Sequence, residues 1–174
     1  MMLDAPRVSA VLALMFPGTL DFVAQRHLDR GTELHFAMEC WANNIIYGVG
    51  QQDLLKACEP VAEWLLAQGI ELEAAEWREA HHYGYILHPD LLGIWKNIPY
   101  VFDYKFAEQI TEMNLIQMEA YMRATKRPGC FIQCDRAGKV TVKKVKPDPA
   151  RWAAFLSALN VKKFHIARGL GGED

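Results

Sequence analysis

Residues 89–105, PDLLGIWKNIPYVFDYK, contain two strand-like segments separated by Lys96-Asn97. Side chains alternate between the two faces of an extended chain. The second segment therefore places aromatic residues on one face and Val101, Asp103 and Lys105 on the other. The aromatic face is typical of a protein core, whereas an acid and a base two residues apart are unusual beside it. This segment predicts a β-hairpin that carries charged groups near one end.

The register of this hairpin decides what the charged groups face. If Lys96-Asn97 form a two-residue turn, Asp90 lies opposite Asp103 in a non-hydrogen-bonded pair, with Cβ atoms about 4.5–5.5 Å apart. Facing like charges destabilise a sheet, so a shared proton, the nearby Lys105 or a bound cation must offset the repulsion. Paired carboxylates suit Mg²⁺ or Mn²⁺. The competing interpretations are a hydrated Asp–Lys pair on a surface strand, and a bulge at Gly93 or Pro99 that shifts the register.

The size and composition are those of an ordinary globular protein. The chain has 174 residues, of which 51% are hydrophobic and 23% charged, and we expect a single domain over 1–174. Disordered and fibrous classes are excluded. No apolar run approaches the roughly 20 residues of a membrane span, and residues 9–18 lack the flanks of a signal peptide. We therefore expect a cytoplasmic protein.

The four cysteines and the charges give weaker indications. Cys130 and Cys134 are four apart in a strand-like segment, a spacing of about 13 Å that does not chelate zinc. We expect buried free thiols. Residues 1–90 contain 5 basic and 13 acidic residues, whereas residues 91–174 contain 14 basic and 8 acidic ones. This asymmetry indicates a polyanionic partner, although a solvated surface explains it as well.

The order of elements predicts an α/β fold. We expect helices over 7–16, from about Thr19 or Asp21, from Thr32 to just before Gly48, and over 51–68. Short strands from about 70 to 106 form a meander, followed by a helix over 107–125, a hairpin around 136–138 and a helix over 148–160. A mixed central sheet flanked by helices follows.

Two further features lie outside the hairpin. Gln117 and Tyr121 fall one turn apart on the apolar stripe of the helix over 107–125, where a buried amide needs a partner. His35 falls three residues after Thr32, a good N-cap that follows Gly31. Taken singly, a satisfied core amide beside a core tyrosine and a locally bonded histidine explain both.

Taken together, these residues carry a resemblance to a known family. Asp90, Asp103-x-Lys105 and Gln117-x-x-x-Tyr121, with the upstream Gly31-Thr32-x-x-His35, resemble the motifs of the PD-(D/E)XK nuclease superfamily. Their order is similar to that in RecB-like exonucleases and related phage and CRISPR-associated nucleases. The resemblance covers about residues 8–165 and implies a restriction-endonuclease-like core.

The resemblance also implies roles for single residues. His35, Asp90, Asp103 and the backbone carbonyl of Tyr104 would bind one or two Mg²⁺ or Mn²⁺ ions, and Lys105 would act on the attacking water or the developing charge. Gln117 and Tyr121 would position the scissile strand. Glu76 would be an additional acid, for which Glu79 is a competing candidate. The roles so implied involve the residues His35, Glu76, Asp90, Asp103, Tyr104, Lys105, Gln117 and Tyr121.

The basic C-terminal half then fits a DNA track. Lys126 and Arg127 would position DNA, as would the lysines of the last hairpin and helix, which are Lys143, Lys144, Lys146, Lys162 and Lys163. Such residues bind phosphates without reading sequence.

Some features depart from the family pattern. Gly84 lies further from the first acid than is typical, and Asp103 stands where many relatives have Glu. The cysteine pattern of iron–sulfur-containing relatives is missing, so we expect no iron–sulfur cluster.

The resulting expectation is a metal-dependent deoxyribonuclease, most consistent with an exonuclease of phage or prokaryotic recombination or repair, in a prokaryotic or phage-infected cell. The alternatives are an endonuclease of the same superfamily, a catalytically weak DNA-binding recombination accessory protein, and a metal-binding hydrolase of another kind. A homo-oligomer or a recombination partner protein is compatible with each of the DNA-directed alternatives.

Overall fold

The computed structural model describes residues 5–16, 25–43, 52–135 and 137–170. Within these ranges the chain forms five helices and seven strands. The helices are α1 (Val8–Met15), α2 (Gln25–Ala42), α3 (Gln52–Ala67), α4 (Glu112–Thr125) and α5 (Pro149–Ala167). The strands are β1 (Glu71–Ala75), β2 (Glu79–His81), β3 (Tyr85–Leu87), β4 (Leu91–Trp95), β5 (Ile98–Lys105), β6 (Gly129–Cys134) and β7 (Val140–Val145).

The central sheet is mixed, as predicted. Its strand order is β1-β4-β5-β6-β7, and β2 and β3 form a separate two-stranded ribbon. Neighbouring strands of the central sheet are antiparallel except β5 and β6, which are parallel and are connected through α4. The α/β fold with a mixed central sheet flanked by helices is confirmed.

Helices cover both faces of the sheet. Val101 and Phe131 pack in a core shared with α1, α4 and α5, whereas Phe102 and Ile132 pack in a second core shared with α2 and α3. Strand β5 is therefore buried on both sides. The interpretation of Asp103 and Lys105 as a hydrated pair on a surface strand is wrong, since only 2% of Asp103 is exposed.

Polar contacts cap α4 and link it to the start of α5. Helix α4 begins with a capping box in which Thr111 and Asn114 exchange hydrogen bonds. The buried carboxylate of Glu119 accepts hydrogen bonds from Arg123 Nε at 2.8 Å and from the backbone N–H of Asp148 at 2.9 Å. Asp148 in turn caps α5. These contacts hold the helix that carries Gln117 and Tyr121 in place.

Several predicted helix bounds are wrong. Helix α2 begins at Gln25 and continues through Gly31 and Thr32, so Thr32 is not an N-cap and His35 lies in mid-helix. Tertiary packing here overrides the local preference of glycine for a break. Helix α4 begins at Glu112 rather than at 107, and α5 continues to Ala167. Lys162 therefore lies within a helix, where it is buried.

Other predictions are confirmed or lie outside the described ranges. Helix α1 agrees with the expected segment over 7–16, and α3 agrees with that over 51–68. The break or new start that Pro60 predicts within that segment is wrong, because α3 is unbroken there. The expected helix start at Thr19 or Asp21 and the end before Gly48 lie outside the described residues. All four cysteines are buried free thiols. Among the described helices, none has the length and apolar character needed to cross a membrane.

Candidate metal-dependent active site

The candidate site lies at the open end of the β4–β5 hairpin. Lys96 and Asn97 form a two-residue turn with φ values of 53° and 61°, the left-handed conformation that type I′ hairpin turns require. Trp95 pairs with Ile98, and the pairing continues without a bulge to Leu91 opposite Phe102. The predicted register is confirmed. Asp90, the next residue before β4, is 7% exposed at the same end of the hairpin as Asp103.

Asp90 is held as a carboxylate by groups from two other elements. Its Oδ1 lies 3.0 Å from Nδ1 of His35 on α2, and its Oδ2 accepts a hydrogen bond of 2.5 Å from the backbone N–H of Tyr104. Burial by itself would raise the pKa of Asp90, but His35, Lys105 and the Tyr104 N–H outweigh it and lower the pKa below the ordinary value. Burial likewise opposes protonation of His35, but Asp90 raises the pKa of that imidazole.

Glu76 completes a set of three side chains that could hold a metal ion. One donor atom from each of His35, Glu76 and Asp90 lies within 4.8 Å of the other two. Glu76 follows β1 with a φ of 48°, and its backbone N–H donates to the Asp90 carbonyl at 2.9 Å. Burial, followed by the charge of Asp90, raises the pKa of Glu76 to about 7. An imidazole and two carboxylates suit Mn²⁺ or Mg²⁺.

The structure distinguishes between Glu76 and Glu79, the two candidates for the additional acid. Glu76 reaches the cluster, whereas Glu79 lies on β2 with an exposed side chain. At Glu76 the left-handed backbone turns the chain out of β1, and the Glu76 backbone N–H lies against the Asp90 carbonyl. Glu39, one turn after His35 on α2, is close enough for its charge to raise the pKa of Glu76 further.

Asp103 and Lys105 form a buried ion pair beside the triad. The Nζ of Lys105 lies 2.5 Å from Oδ2 of Asp103, and neither side chain is exposed by more than 16%. That oxygen has no partner with normal hydrogen-bond geometry. Burial raises the pKa of Asp103 to about 6 even though Lys105 opposes the shift. Burial disfavours the charged form of Lys105, but Asp103 and Asp90 raise its pKa above the ordinary value.

Gln117 and Tyr121 connect this ion pair to the polypeptide around it. Lys105 Nζ lies 3.4 Å from Oε1 of Gln117, whose Nε2 donates to the Tyr121 hydroxyl at 3.0 Å. The same hydroxyl donates to the carbonyl of His88 at 3.0 Å. Burial, with the charges of Asp103 and Asp90, raises the pKa of Tyr121 well above its ordinary value. The phenol therefore stays protonated as a donor, and the polar residues on the α4 stripe have specific partners.

The sequence analysis missed His88 and Arg78. His88 Nε2 lies 2.7 Å from Oε2 of Glu76 and 3.2 Å from Nε of Arg78. Hydrogen-bond partners of this kind orient a side chain that could hold a metal ion. Arg78 and His88 flank the β2–β3 ribbon, whose position depends on packing rather than on a local pattern. The signal that was available is a histidine two residues before a buried acid.

The predicted DNA-positioning residues are in different environments. Lys126 is exposed at the left-handed C-cap of α4. Arg127 forms an ion pair with Glu73, so its charge is already partnered. Lys144 lies over the rings of Trp95 and Tyr100 at 4.6 and 5.1 Å, at the turn end of the hairpin. Lys126 and Lys144 are both exposed and have no carboxylate partner among the described contacts, but Lys144 lies against aromatic rings.

Comparisons with known proteins identify a structural neighbour but no sequence relative. No family model matches the chain, and no curated protein matches it. The crystal structure of an alkaline exonuclease, LHK-Exo from Laribacter hongkongensis, has a TM-score of 0.59 at 13% identity, over 95% of this chain and 89% of that one. LHK-Exo in complex with dAMP has a TM-score of 0.58 at 14% identity, over 97% and 91% of the two chains. At this identity the likeness establishes the fold: this chain has a fold similar to that of an alkaline exonuclease.

Proposed function

We propose that this protein is a metal-dependent deoxyribonuclease of the PD-(D/E)XK type that removes nucleotides from DNA ends. One observation carries the proposal: His35, Glu76 and Asp90 converge beside the buried Asp103–Lys105 pair. The exonuclease fold supports it, and the dAMP bound to LHK-Exo supports a deoxyribonucleotide substrate.

The donor set fits one or two hard divalent cations. His35, Glu76 and Asp90 would hold Mg²⁺ or Mn²⁺, with Asp103 and the Tyr104 carbonyl as further oxygen ligands. Such an ion supplies an activated water and neutralises charge on the attacking and leaving oxygens of phosphodiester hydrolysis. An imidazole and two carboxylates whose donor atoms converge within 4.8 Å support this fit.

Lys105 contributes a cation that the protein holds in a fixed place. The Nζ of Lys105 lies 2.5 Å from Oδ2 of Asp103 and 3.4 Å from Oε1 of Gln117. These two contacts keep the ammonium beside the cluster. A fixed positive charge in a buried site stabilises negative charge that develops on the transferring phosphate. Tyr121 holds Gln117 at 3.0 Å, so these two residues brace Lys105 from α4.

The test is digestion of end-labelled linear DNA and of closed circular DNA, each single- and double-stranded, in Mg²⁺, Mn²⁺ or EDTA. We expect cation-dependent loss of linear DNA while circles persist. Asp90→Asn should abolish it, because this substitution removes the carboxylate shared by His35 and Tyr104. Glu63→Gln, a surface change on α3, is the control and should retain full activity.

Other outcomes would identify the alternatives. Cutting of circles would indicate an endonuclease with the same site. Retention of DNA in a gel shift without cleavage in either cation would contradict the proposal and indicate an accessory DNA-binding protein.

A further inference from the structure

The turn of the β2–β3 ribbon presents three consecutive aromatic rings. The ring centroids of His81 and His82 lie 4.0 Å apart, and those of His82 and Tyr83 lie 4.3 Å apart. Gly84, with a φ of 72°, closes the turn by donating its N–H to the His81 carbonyl at 2.7 Å. The side chains of His82 and Tyr83 are exposed, Tyr83 by 45%. We call these three rings the ribbon stack.

The ribbon stack is held in place from below by α4 and α5. The Tyr85 hydroxyl donates to the carbonyl of Ala120 at 3.0 Å, and Lys163 donates to the carbonyl of Tyr83. The Tyr83 ring also meets Trp152 edge-on, at 5.6 Å between centroids. Three independent anchors for a short turn indicate that its rings are preorganised, which lowers the entropic cost of binding a ligand.

The other end of the same ribbon contacts the candidate active site. Arg78 lies just before β2, and His88 lies just after β3. Through His88 the ribbon touches Glu76 of the metal-ligating triad at 2.7 Å. The ribbon therefore runs from the candidate active site to the exposed rings.

The charges along the ribbon favour a polyanion. Arg78 is exposed at the base, and the exposed Lys126 of α4 lies near His81. Glu79 is the acidic residue of the ribbon itself, and its exposed side chain leaves it free to be hydrated. Exposed rings between cations are the arrangement with which proteins bind single-stranded nucleic acids without reading sequence.

We propose that His82 and Tyr83 form a stacking subsite for one unpaired base of the DNA strand whose backbone enters the active site. This inference rests on the proposed nuclease function and deepens it, since it assigns the path of the strand. Every base has an aromatic face, so the subsite selects single-stranded character and no particular sequence.

The test is fluorescence anisotropy of a labelled 12-nucleotide single strand at pH 8 in EDTA, which prevents cleavage. His82→Ala and Tyr83→Ala should each weaken binding about tenfold, within the range of one base stack. His82→Trp and Tyr83→Phe keep a ring and should retain wild-type affinity. Phe164→Ala removes another exposed ring, 55% exposed on α5, and is the matched control.

A second arm uses strands with one abasic nucleotide at successive positions. For the wild-type protein, loss of the base at one or two neighbouring positions should weaken binding about tenfold. For the alanine variants, loss of the base at the same positions should have no further effect, because ring and base act as one pair. The slope of log affinity against log salt should be unchanged, because no cation is removed. Thermal melts of each variant check that the fold is intact.

The outcomes separate this inference from the proposed function. If wild-type protein cleaves DNA but alanine variants bind intact and abasic strands as wild type does, the stacking subsite is overturned and the nuclease proposal stands. If the ring-dependent pattern appears without any cleavage in Mn²⁺, the nuclease proposal fails and the subsite stands. Absence of wild-type binding to the strand overturns the stacking subsite, and the nuclease proposal is then decided by the cleavage of double-stranded DNA.

Discussion

The two ends of the β4–β5 hairpin follow one register but have opposite chemistry. At the turn end, Trp95 pairs with Ile98 and lies beneath the cation of Lys144. The centroid of its ring is 5.7 Å from that of the tilted Tyr100 ring. At the open end, the same register brings Asp90 and Asp103 together in a buried environment. The cation–π and ring contacts of the turn end favour folding, whereas the buried Trp95 Nε1 has no hydrogen-bond partner among the described residues. The open end combines like charges that a sheet ordinarily avoids.

This difference separates contacts that favour folding from a cluster with the features of a functional site. The turn end needs no ligand to be favourable. At the open end, His35 lies against Asp90 and Lys105 against Asp103. Burial still raises the pKa of Glu76 to about 7 and that of Asp103 to about 6. Groups with shifted pKa values and convergent donors are typical of functional sites. Substitutions at the two ends should therefore affect different observables.

The largest effect is expected for Asp103→Asn at the open end. The amide cannot hold the Lys105 ammonium or supply an anionic oxygen, so DNA cleavage should fall by about 10³-fold or more. The folded state loses a buried ion pair but also a buried charge close to Asp90, so the melting temperature should change little. Cleavage of labelled linear DNA and thermal melts measure the two quantities. Cleavage within about tenfold of wild type would show that Asp103 is not part of the active site.

In the middle of β4, Gly93→Ala should reduce stability strongly. A Cβ at Gly93 would lie 2.8 Å from the carbonyl oxygen of Glu71 and 3.2 Å from Ile70. Backbone cannot move away as easily as a side chain, so we expect a loss of about 2–3 kcal/mol. Urea unfolding measures this loss of stability. Asn97→Gly, which suits the positive φ of 61° at the turn, should leave stability within about 0.5 kcal/mol of wild type. An equal effect of both substitutions would contradict this explanation.

The hairpin shows how much of the site could be predicted from sequence. Alternation with period two and a two-residue turn are local properties, and they were sufficient to place Asp90 and Asp103 at the same end of the hairpin. The neighbours of the hairpin are not local. The parallel pairing of Asp103 with Phe131 on β6 spans a helix, and it helps to bury a face that the sequence also allowed to be hydrated. The same limit applies to Glu76 and His88, which long-range packing brings together.

Local signals also failed in α2. Glycine and threonine at positions 31 and 32 are typical of a helix start, yet the helix passes through both. His35 still reaches Asp90 because its position depends on where α2 packs rather than on where the helix begins. A motif can therefore identify a site residue while its local structural interpretation is wrong.

A smaller effect at the open end is expected for Glu76→Gln in the absence of metal. A carboxylate whose pKa is raised on folding, here from 4.5 to about 7, binds its proton more tightly in the folded state. The free energy of unfolding therefore decreases as the pH rises through this interval. The raised pKa values of Asp103 and His35 act in the same direction, whereas Asp90 loses stabilisation only at acidic pH, below its ordinary value of 3.8.

Glu76→Gln should thus raise the stability of the metal-free protein at about pH 8 by roughly 1 kcal/mol, or about 2–4 °C in Tm, and should weaken Mn²⁺ binding. Melts in EDTA at about pH 5 and about pH 8, with and without added Mn²⁺, measure both effects. Glu79→Gln, the exposed acid of β2, is the matched control. A wild-type Tm that rises over this pH interval in EDTA would contradict the charge balance described for the open end.

The smallest effect is expected for Lys144→Ala at the turn end. Its ammonium lies 4.6 Å from the Trp95 ring centroid and 5.1 Å from that of Tyr100, so the lysine stabilises the hairpin by about 0.5–1 kcal/mol as a cation–π partner. Urea unfolding should detect that loss, while DNA cleavage should stay at the wild-type level because the residue lies at the end of the hairpin away from the acids. Lys143→Ala, on the opposite side of the same strand, should change neither quantity. Loss of DNA binding without loss of stability would instead assign Lys144 to the DNA track, and the turn end of the hairpin would then share in function.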